Sequence, residues 1–376
     1  MLELDNYRLN HPEQLLTPCL LVYPHIVRAN IAESIRIAGS ADNLRPHVKT
    51  NKTPQIVDLM RAAGITKFKC ATLREAQMLG ECGAEDVLIA YPQVGPAIAR
   101  LVAIVKEFPQ TRFSTVVDNG QSLQQLDEAF QQAGLKLTVL MDIDTGMHRT
   151  GIPVGEAAMR LYRELGQSTA LVPGGLHVYD GQNHQCELPA RNEAVNQLWQ
   201  PVVRMVTELK AEGLSIPKLV CGGTPTFPVF SRLGLASSDL HIECSPGTCV
   251  LSDFNYGRSY ADMSGFQPAA VLLTRVISKP QAERVTIDLG YKAVAADQPL
   301  GRRCSVLNVP GAKEIQHSEE HLVLELPPDC ALNVGDVLYA IPGHVCPTVA
   351  LHSHLIVVED GQVIDRWAVT ARDRIV

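Results

Sequence analysis

Eight short β-rich runs, at residues 44–49, 67–71, 86–91, 112–118, 137–143, 174–178, 218–222 and 241–244, alternate with amphipathic stretches. Regular strand and helix alternation of this kind predicts an α/β fold with a parallel (β/α)8 barrel of the TIM type. The helical stretches carry end signals. Thr72 and Glu75 form a capping box in "TLREAQML", and "NGQSLQQLDEAFQQAG" opens at Asn119 and closes at Gly134. In "NLRPHVKTNKTPQIVDLM", Thr53 can cap and Pro54 suits the first helical turn, while Ile56, Val57, Met60 and Ala63 make a helical stripe ended by Gly64. Arg45, His47, Lys49 and Lys52 therefore fall at the end of strand one and in its turn toward a helix.

After residue 258 the texture changes to "AAVLLTRVIS", "RVTIDLG", "HLVLELP", "DVLYAIPG" and "LIVVEDGQVIDRWAV", divided by Gly, Pro and Asp turns, which reads as all-β. The expected organisation is an N-terminal segment 1–22, a barrel over 23–258 and a C-terminal β domain over 259–376. "TPCLLVY", in the first segment, could pair with either part.

Composition narrows the partners. At 376 residues and 46% hydrophobic content the chain can bury a sizeable core. A net charge of -7 without a long basic run argues against nucleic acid, whose binding rests on clustered Lys and Arg, and favours a small-molecule partner. The N-terminus lacks the apolar core of a signal peptide and no segment has the ~18 apolar residues of a membrane span, so a cytoplasmic protein is expected. Ten scattered cysteines without a CxxC pair read mostly as reduced, buried small hydrophobes.

In such a barrel, chemistry collects at the C-terminal ends of the strands, with phosphate often held after strands seven and eight. Strand one ends at Lys49. Strand five runs into "DIDTGMHRTG", with Asp144, His148 and Arg149, and strand six gives "GLHVYDG", with His177 and Tyr179. Strands seven and eight end in "CGGTPT" and "CSPGTC", whose small residues, amides and hydroxyls are equipment for wrapping a phosphate. Singly, each has a structural explanation: a solvated turn lysine, an ordinary glycine turn, a hydrogen-bonded core tyrosine or histidine. Together they fall on one face of one barrel.

With these residues in view, the sequence resembles the pyridoxal-phosphate enzymes of the alanine-racemase fold, in their D-threonine aldolase and D-serine dehydratase branch. "TPCLLVY", "RPHVKTNK", "DIDTGMHRTG", "GLHVYDG", "CGGTPT" and "GHVCPTV" match in order across nearly the whole chain. The resemblance implies that Lys49 bonds the cofactor, Arg149 contacts its phenolic oxygen and Tyr179 lies against its ring. It implies a phosphate cradle of Gly222, Gly223 and Thr224 with Gly247 and Thr248, and a homodimer. Ser245 stands where racemases of this fold place an arginine against the pyridine nitrogen, and the racemase C-terminal tyrosine has no clear counterpart.

The C-terminal domain adds "GHVCP". On a strand, the spacing of His344 and Cys346 puts both side chains on one face, and imidazole with thiolate suits zinc. "HSH", His352 and His354, has the same spacing but lies outside the motif match and reads as surface or core histidine. The resemblance implies a metal-assisted lyase of β-hydroxy D-amino acids. Dehydratases of the branch pair His with Cys, whereas aldolases commonly show Asp second. Retro-aldol cleavage, racemization and a non-catalytic cofactor carrier are the alternatives, and a metal-dependent barrel hydrolase is disfavoured because strand one ends in "HVK" rather than HxH.

Overall fold

The computed structural model describes residues 4–237, 239–328 and 330–374. Residues 1–3, 375 and 376, the outer ends of the first and last expected segments, lie outside them. The chain forms two compact units, one of residues 4–33, Thr50–Ile56 and Thr248–Arg372, the other of Ser34–Lys49, Val57–Gly247 and residues 373–374.

The second unit is the barrel. Strands Lys67–Cys70, Asp86–Ile89, Arg112–Val117, Leu137–Asp144, Leu171–Tyr179, Leu219–Cys221 and Ile242–Cys244 pair in parallel in chain order. The short Ile152–Pro153 strand adds to Leu137–Asp144. The ring closes through the first β-rich run, where Leu44 bridges Cys244 and His47 bridges Lys69, both in parallel. This run is held by two bridges instead of a ladder because Pro46, between them, has no N–H to give; its carbonyl still accepts from the Lys69 amide at 2.8 Å. All eight runs read from the sequence thus have a place on the ring.

Apolar strand positions fill the interior, where Leu88, Val116, Leu140 and Val220 form one buried cluster. Arg45 is wholly buried as well. Its Nε donates to Glu243 Oε2 at 2.6 Å and its Nη1 to Asp86 Oδ1 at 2.6 Å, so two carboxylates balance the buried charge where water cannot, while Nη2 has no partner. The expected end signals act as read at Thr72, whose hydroxyl accepts from the Glu75 amide, and at Asn119, which accepts from Ser122. Thr53 behaves differently: its hydroxyl donates to the Asn51 carbonyl at 2.7 Å, and Pro54 opens the Pro54–Ala62 helix.

The other unit is built on a nine-stranded, mostly antiparallel sheet. Its main path runs Lys313–His317, Leu322–Glu325, Arg284–Ile287, Ala270–Gln281, Cys19–Val22, His354–Glu359 and Gln362–Ala368, with Val337–Pro342 joining Ala270–Gln281 to Cys304–Val306. "TPCLLVY" therefore belongs to this sheet: Cys19–Val22 runs antiparallel to Ala270–Gln281, with Leu20 opposite Leu272, and parallel to His354–Glu359, with Leu21 opposite Ile356. Leu20, Leu21 and Val22 are fully buried there.

Candidate active site

The polar strand ends of the barrel do converge. Lys49 is exposed in the turn after Val48, and its amide donates to His47 Nδ1 at 3.3 Å. At the end of the fifth strand the Asp144 carboxylate organises the loop that follows. It accepts from the Gly146 amide at 2.9 Å, the His148 amide at 3.0 Å and the His148 ring at 2.8 Å. Gly151, at φ +95°, completes the wrap, since a β-carbon there would lie 2.6 Å from the Asp144 nitrogen. The loop carries Arg149, whose guanidinium is 5.2 Å from the centre of the Tyr179 ring. That ring occupies space left by two glycines: a β-carbon at Gly181 would meet Tyr179 Cε1 at 2.6 Å, and one at Gly223 would meet Cε2 at 3.2 Å.

A polar chain leads from the exposed Thr150 to buried residues. Thr150 donates to Asp142 Oδ2 at 2.9 Å, Asp142 Oδ1 lies 2.7 Å from His177 Nδ1, and His177 Nε2 is 3.5 Å from Lys69 Nζ. Burial lowers the pKa of His177 against the pull of Asp142, and although burial would raise Asp142, its contact with His177 and the hydrogen bond from Thr150 hold it below the usual carboxylate range. We read the pair as ionised Asp142 with neutral His177 donating from Nδ1. Lys69 is only 2% exposed, and burial, followed by the charge of Lys49, brings its pKa down to about 7.

The expected phosphate turns are present, but several amides are already engaged. Gly222 N–H donates to Val178 O at 3.0 Å, Gly223 N–H to Thr226 Oγ1 at 3.3 Å, and Gly247 N–H to Thr224 Oγ1 at 3.2 Å. Under the first turn Asp180 is pushed up to about 7 by burial, in spite of hydrogen bonds from Thr226 and Asn183. Ser245 Oγ, by contrast, is buried with no hydrogen-bond partner.

In the β unit, His344 and Cys346 meet by a route other than the one expected. They do not lie on a strand: Val337–Pro342 has ended, His344 sits at the N-cap and Cys346 in the first turn of the Val345–Leu351 helix. Gly343 and Pro347 are the residues that end the strand and start the helix. The two side chains nevertheless lie close enough to act on each other's charge. Burial alone would disfavour charge on both, yet Cys346 and Asp297 raise His344 to about 9, and His344 holds Cys346 below the ordinary thiol range. His344 Nδ1 is 2.5 Å from Asp297 Oδ2, and the Cys346 sulfur is 3.1 Å from Thr50 Oγ1 and 3.6 Å from Thr248 Oγ1. Among the described residues no group of three or more His, Cys, Asp or Glu gathers to hold a metal. His352 contacts Ala293 O and His354 the neighbouring Ser353 Oγ.

Comparison with known proteins decides the family. Residues 24–240, more than half of the chain, match the alanine racemase N-terminal domain. The chain belongs to the alanine-racemase-fold family of pyridoxal-phosphate enzymes. Residues 269–358 match the putative serine dehydratase domain. This pyridoxal-phosphate lyase is 30% identical to a D-threonine aldolase of Arthrobacter sp. over 335 residues, 88% of this chain and 85% of that one. It is 24% identical to D-threo-3-hydroxyaspartate dehydratase of Delftia sp. (strain HT23), over 89% of this chain and 92% of that one. The crystal structure of D-threonine aldolase from Filomicrobium marinum superposes with a TM-score of 0.87 at 27% identity, covering 95% of this chain and 96% of that one.

The lyase's barrel residues fit the cofactor. An orphaned buried hydroxyl is costly, and a ring nitrogen is the kind of acceptor that would satisfy Ser245 Oγ. Lys69, Asp142, Asp180 and Asp297 were not singled out by the sequence; Lys69 had a usable signal, because like Lys49 it stands near the C-terminal end of a barrel strand.

Proposed function

We propose that this lyase eliminates water from a β-hydroxy D-amino acid of the D-serine or 3-hydroxyaspartate type and releases a keto acid and ammonia. The observation that carries this reading is that His344 and Cys346 stand together at the start of the Val345–Leu351 helix, close enough to act on each other's charge, because dehydratases of the branch the chain resembles use this pair. Pyridoxal phosphate, when bound, draws electrons from the amino acid's Cα, and a divalent metal, zinc by the nature of the donors, polarises the β-hydroxyl.

The protein's own groups take the remaining tasks. Lys49 would hold the cofactor covalently, and its Nζ, once free, would take the proton from Cα. Arg149 would face the phenolic oxygen, Tyr179 the ring and Ser245 the ring nitrogen, which then has a hydroxyl rather than a charged partner. Thr224 and Thr248, with Gly222, Gly223 and Gly247, would surround the phosphate. His344 and Cys346 would bind the metal, with Asp297 fixing the imidazole. Two protein ligands leave coordination positions for water and substrate. A homodimer in a reducing cytoplasm is the setting we assign; all ten cysteines are free thiols, which suits that compartment.

Retro-aldol cleavage is the second reading, favoured by the 30% identity to a D-threonine aldolase. It differs in one proton: removal of the β-hydroxyl proton breaks the Cα to Cβ bond and yields an aldehyde and glycine. Purified protein supplied with cofactor and zinc should be assayed on D-serine, D-threonine and D-3-hydroxyaspartate, with keto acid and aldehyde measured separately. Keto acid and ammonia in equal amounts support dehydration; aldehyde with glycine as the main products would replace it by the second reading.

A further inference from the structure

A buried lysine needs a reason. The ammonium loses its hydration, and the contacts of Lys69 are His177 and the Tyr179 ring, 5.7 Å from its centroid, instead of a carboxylate. A methionine would fill the same volume without that cost. His177 gives Nδ1–H to Asp142, so its Nε2 lone pair is turned toward Lys69, which can donate to it whether charged or neutral. When neutral, Lys69 has a lone pair of its own with which to receive a proton. The charged and titratable groups acting on it are Lys49 and Arg45, which oppose its charge, and Asp142 and Cys221, which favour it, with His177 in contact. Backbone pairing keeps it beside strand one: His47 bridges Lys69, and the Val48 amide donates to Lys69 O at 2.8 Å.

We propose that Lys69 is a second working amine of the site, a positioning residue that takes up and returns the proton of the Lys49 amine and is held in place by the Asp142, His177 chain. The transfer is of a proton alone, from Lys49 Nζ to Lys69 Nζ and back. The inference rests on Lys49 being the cofactor-bearing residue. An amine must be neutral to attack an aldehyde, and a buried neighbour that titrates near neutrality is a suitable acceptor for the proton it sheds.

Two measurements on the full-length chain test this. In cofactor-free protein carrying 13C- and 15N-labelled lysine, NMR should show one side-chain signal titrating near neutral pH, lost in K69M; no lysine titrating below about pH 9 would overturn the proposal. In the second, the rate at which pyridoxal phosphate attaches to Lys49 is followed by absorbance. K69M and the permanently charged K69R should both slow it by about tenfold or more and flatten its pH dependence. An unchanged rate and profile in K69M would overturn the proposal. If K69M fails to fold, H177Q should displace the Lys69 titration by about one pH unit, and an undisturbed titration counts against the chain. Failure of the wild-type protein to take cofactor at Lys49 would instead remove the functional reading, and the NMR result distinguishes the two.

Discussion

Asp297→Asn isolates how much the imidazole of the proposed metal pair depends on being held. The wild-type contact, 2.5 Å from His344 Nδ1 to Asp297 Oδ2, is a short, charge-assisted hydrogen bond. Asparagine keeps the shape and removes the charge. Loss of such an outer partner typically costs 10–100-fold in metal affinity. Here the side chains are 34% and 43% exposed, so water screens the contact and replaces part of it. The lower end applies, about tenfold, or ~1.4 kcal/mol in binding free energy. Competition titration of zinc against a chromophoric chelator, in cofactor-free protein at fixed pH, measures this without reference to turnover. H344A serves as the reference for complete loss. Equal affinities in D297N and wild type, with H344A impaired, would refute the argument from orientation; equal affinities in all three would mean that the metal is not held at His344.

Other consequences concern the rest of the molecule. Gly181→Ala places a β-carbon 2.6 Å from the Tyr179 ring, which must move, and the loss of its cation–π contact with Arg149 should weaken cofactor binding by about 1 kcal/mol, read as a several-fold higher dissociation constant. Arg45→Met leaves Glu243 with Lys67 and Asp86 with Lys218 as their remaining cationic partners, and should cost about 3 kcal/mol in urea unfolding, the low end for breaking a buried ion pair. Because Arg45 holds Asp86, and His241 with Arg45 holds Glu243, below their unfolded pKa values, against burial, the stability they contribute is present above about pH 4 and lost as pH falls below it; R45M should flatten part of that acid limb. Cys346→Ala and chelation should both abolish turnover while leaving the absorbance of the bound cofactor unchanged, and Cys346→Asp should loosen zinc and move products toward aldehyde; full activity after metal removal would count against the metal's role.

The barrel was legible because its signals are local. Each strand is a short apolar run, each helix a 3.6-residue stripe, and Thr72 and Asn119 cap within three residues of themselves. The place of Cys19–Val22 was not, because its partners, Ala270–Gln281 and His354–Glu359, lie hundreds of residues away and its own sequence suits any sheet. Among the candidate site residues, Lys49, Arg149 and Tyr179 stand out by position at strand ends. His344 and Cys346 stand out by their spacing, but a period of two was read where the chain turns from strand into helix, as Gly343 and Pro347 could have indicated. Lys69 was hidden for a different reason. "KFKC" looks like a strand with a wet face, and only closure of the ring makes that face dry. Burial of a charge is a tertiary property that spacing does not record.

The most direct test of the account asks which lysine carries the cofactor. Protein loaded with pyridoxal phosphate is reduced with borohydride, digested and mapped by mass spectrometry. The arrangement at the barrel's strand ends predicts the reduced adduct on the peptide containing Lys49. An adduct on Lys52 or Lys69 alone, or on no lysine, would contradict it.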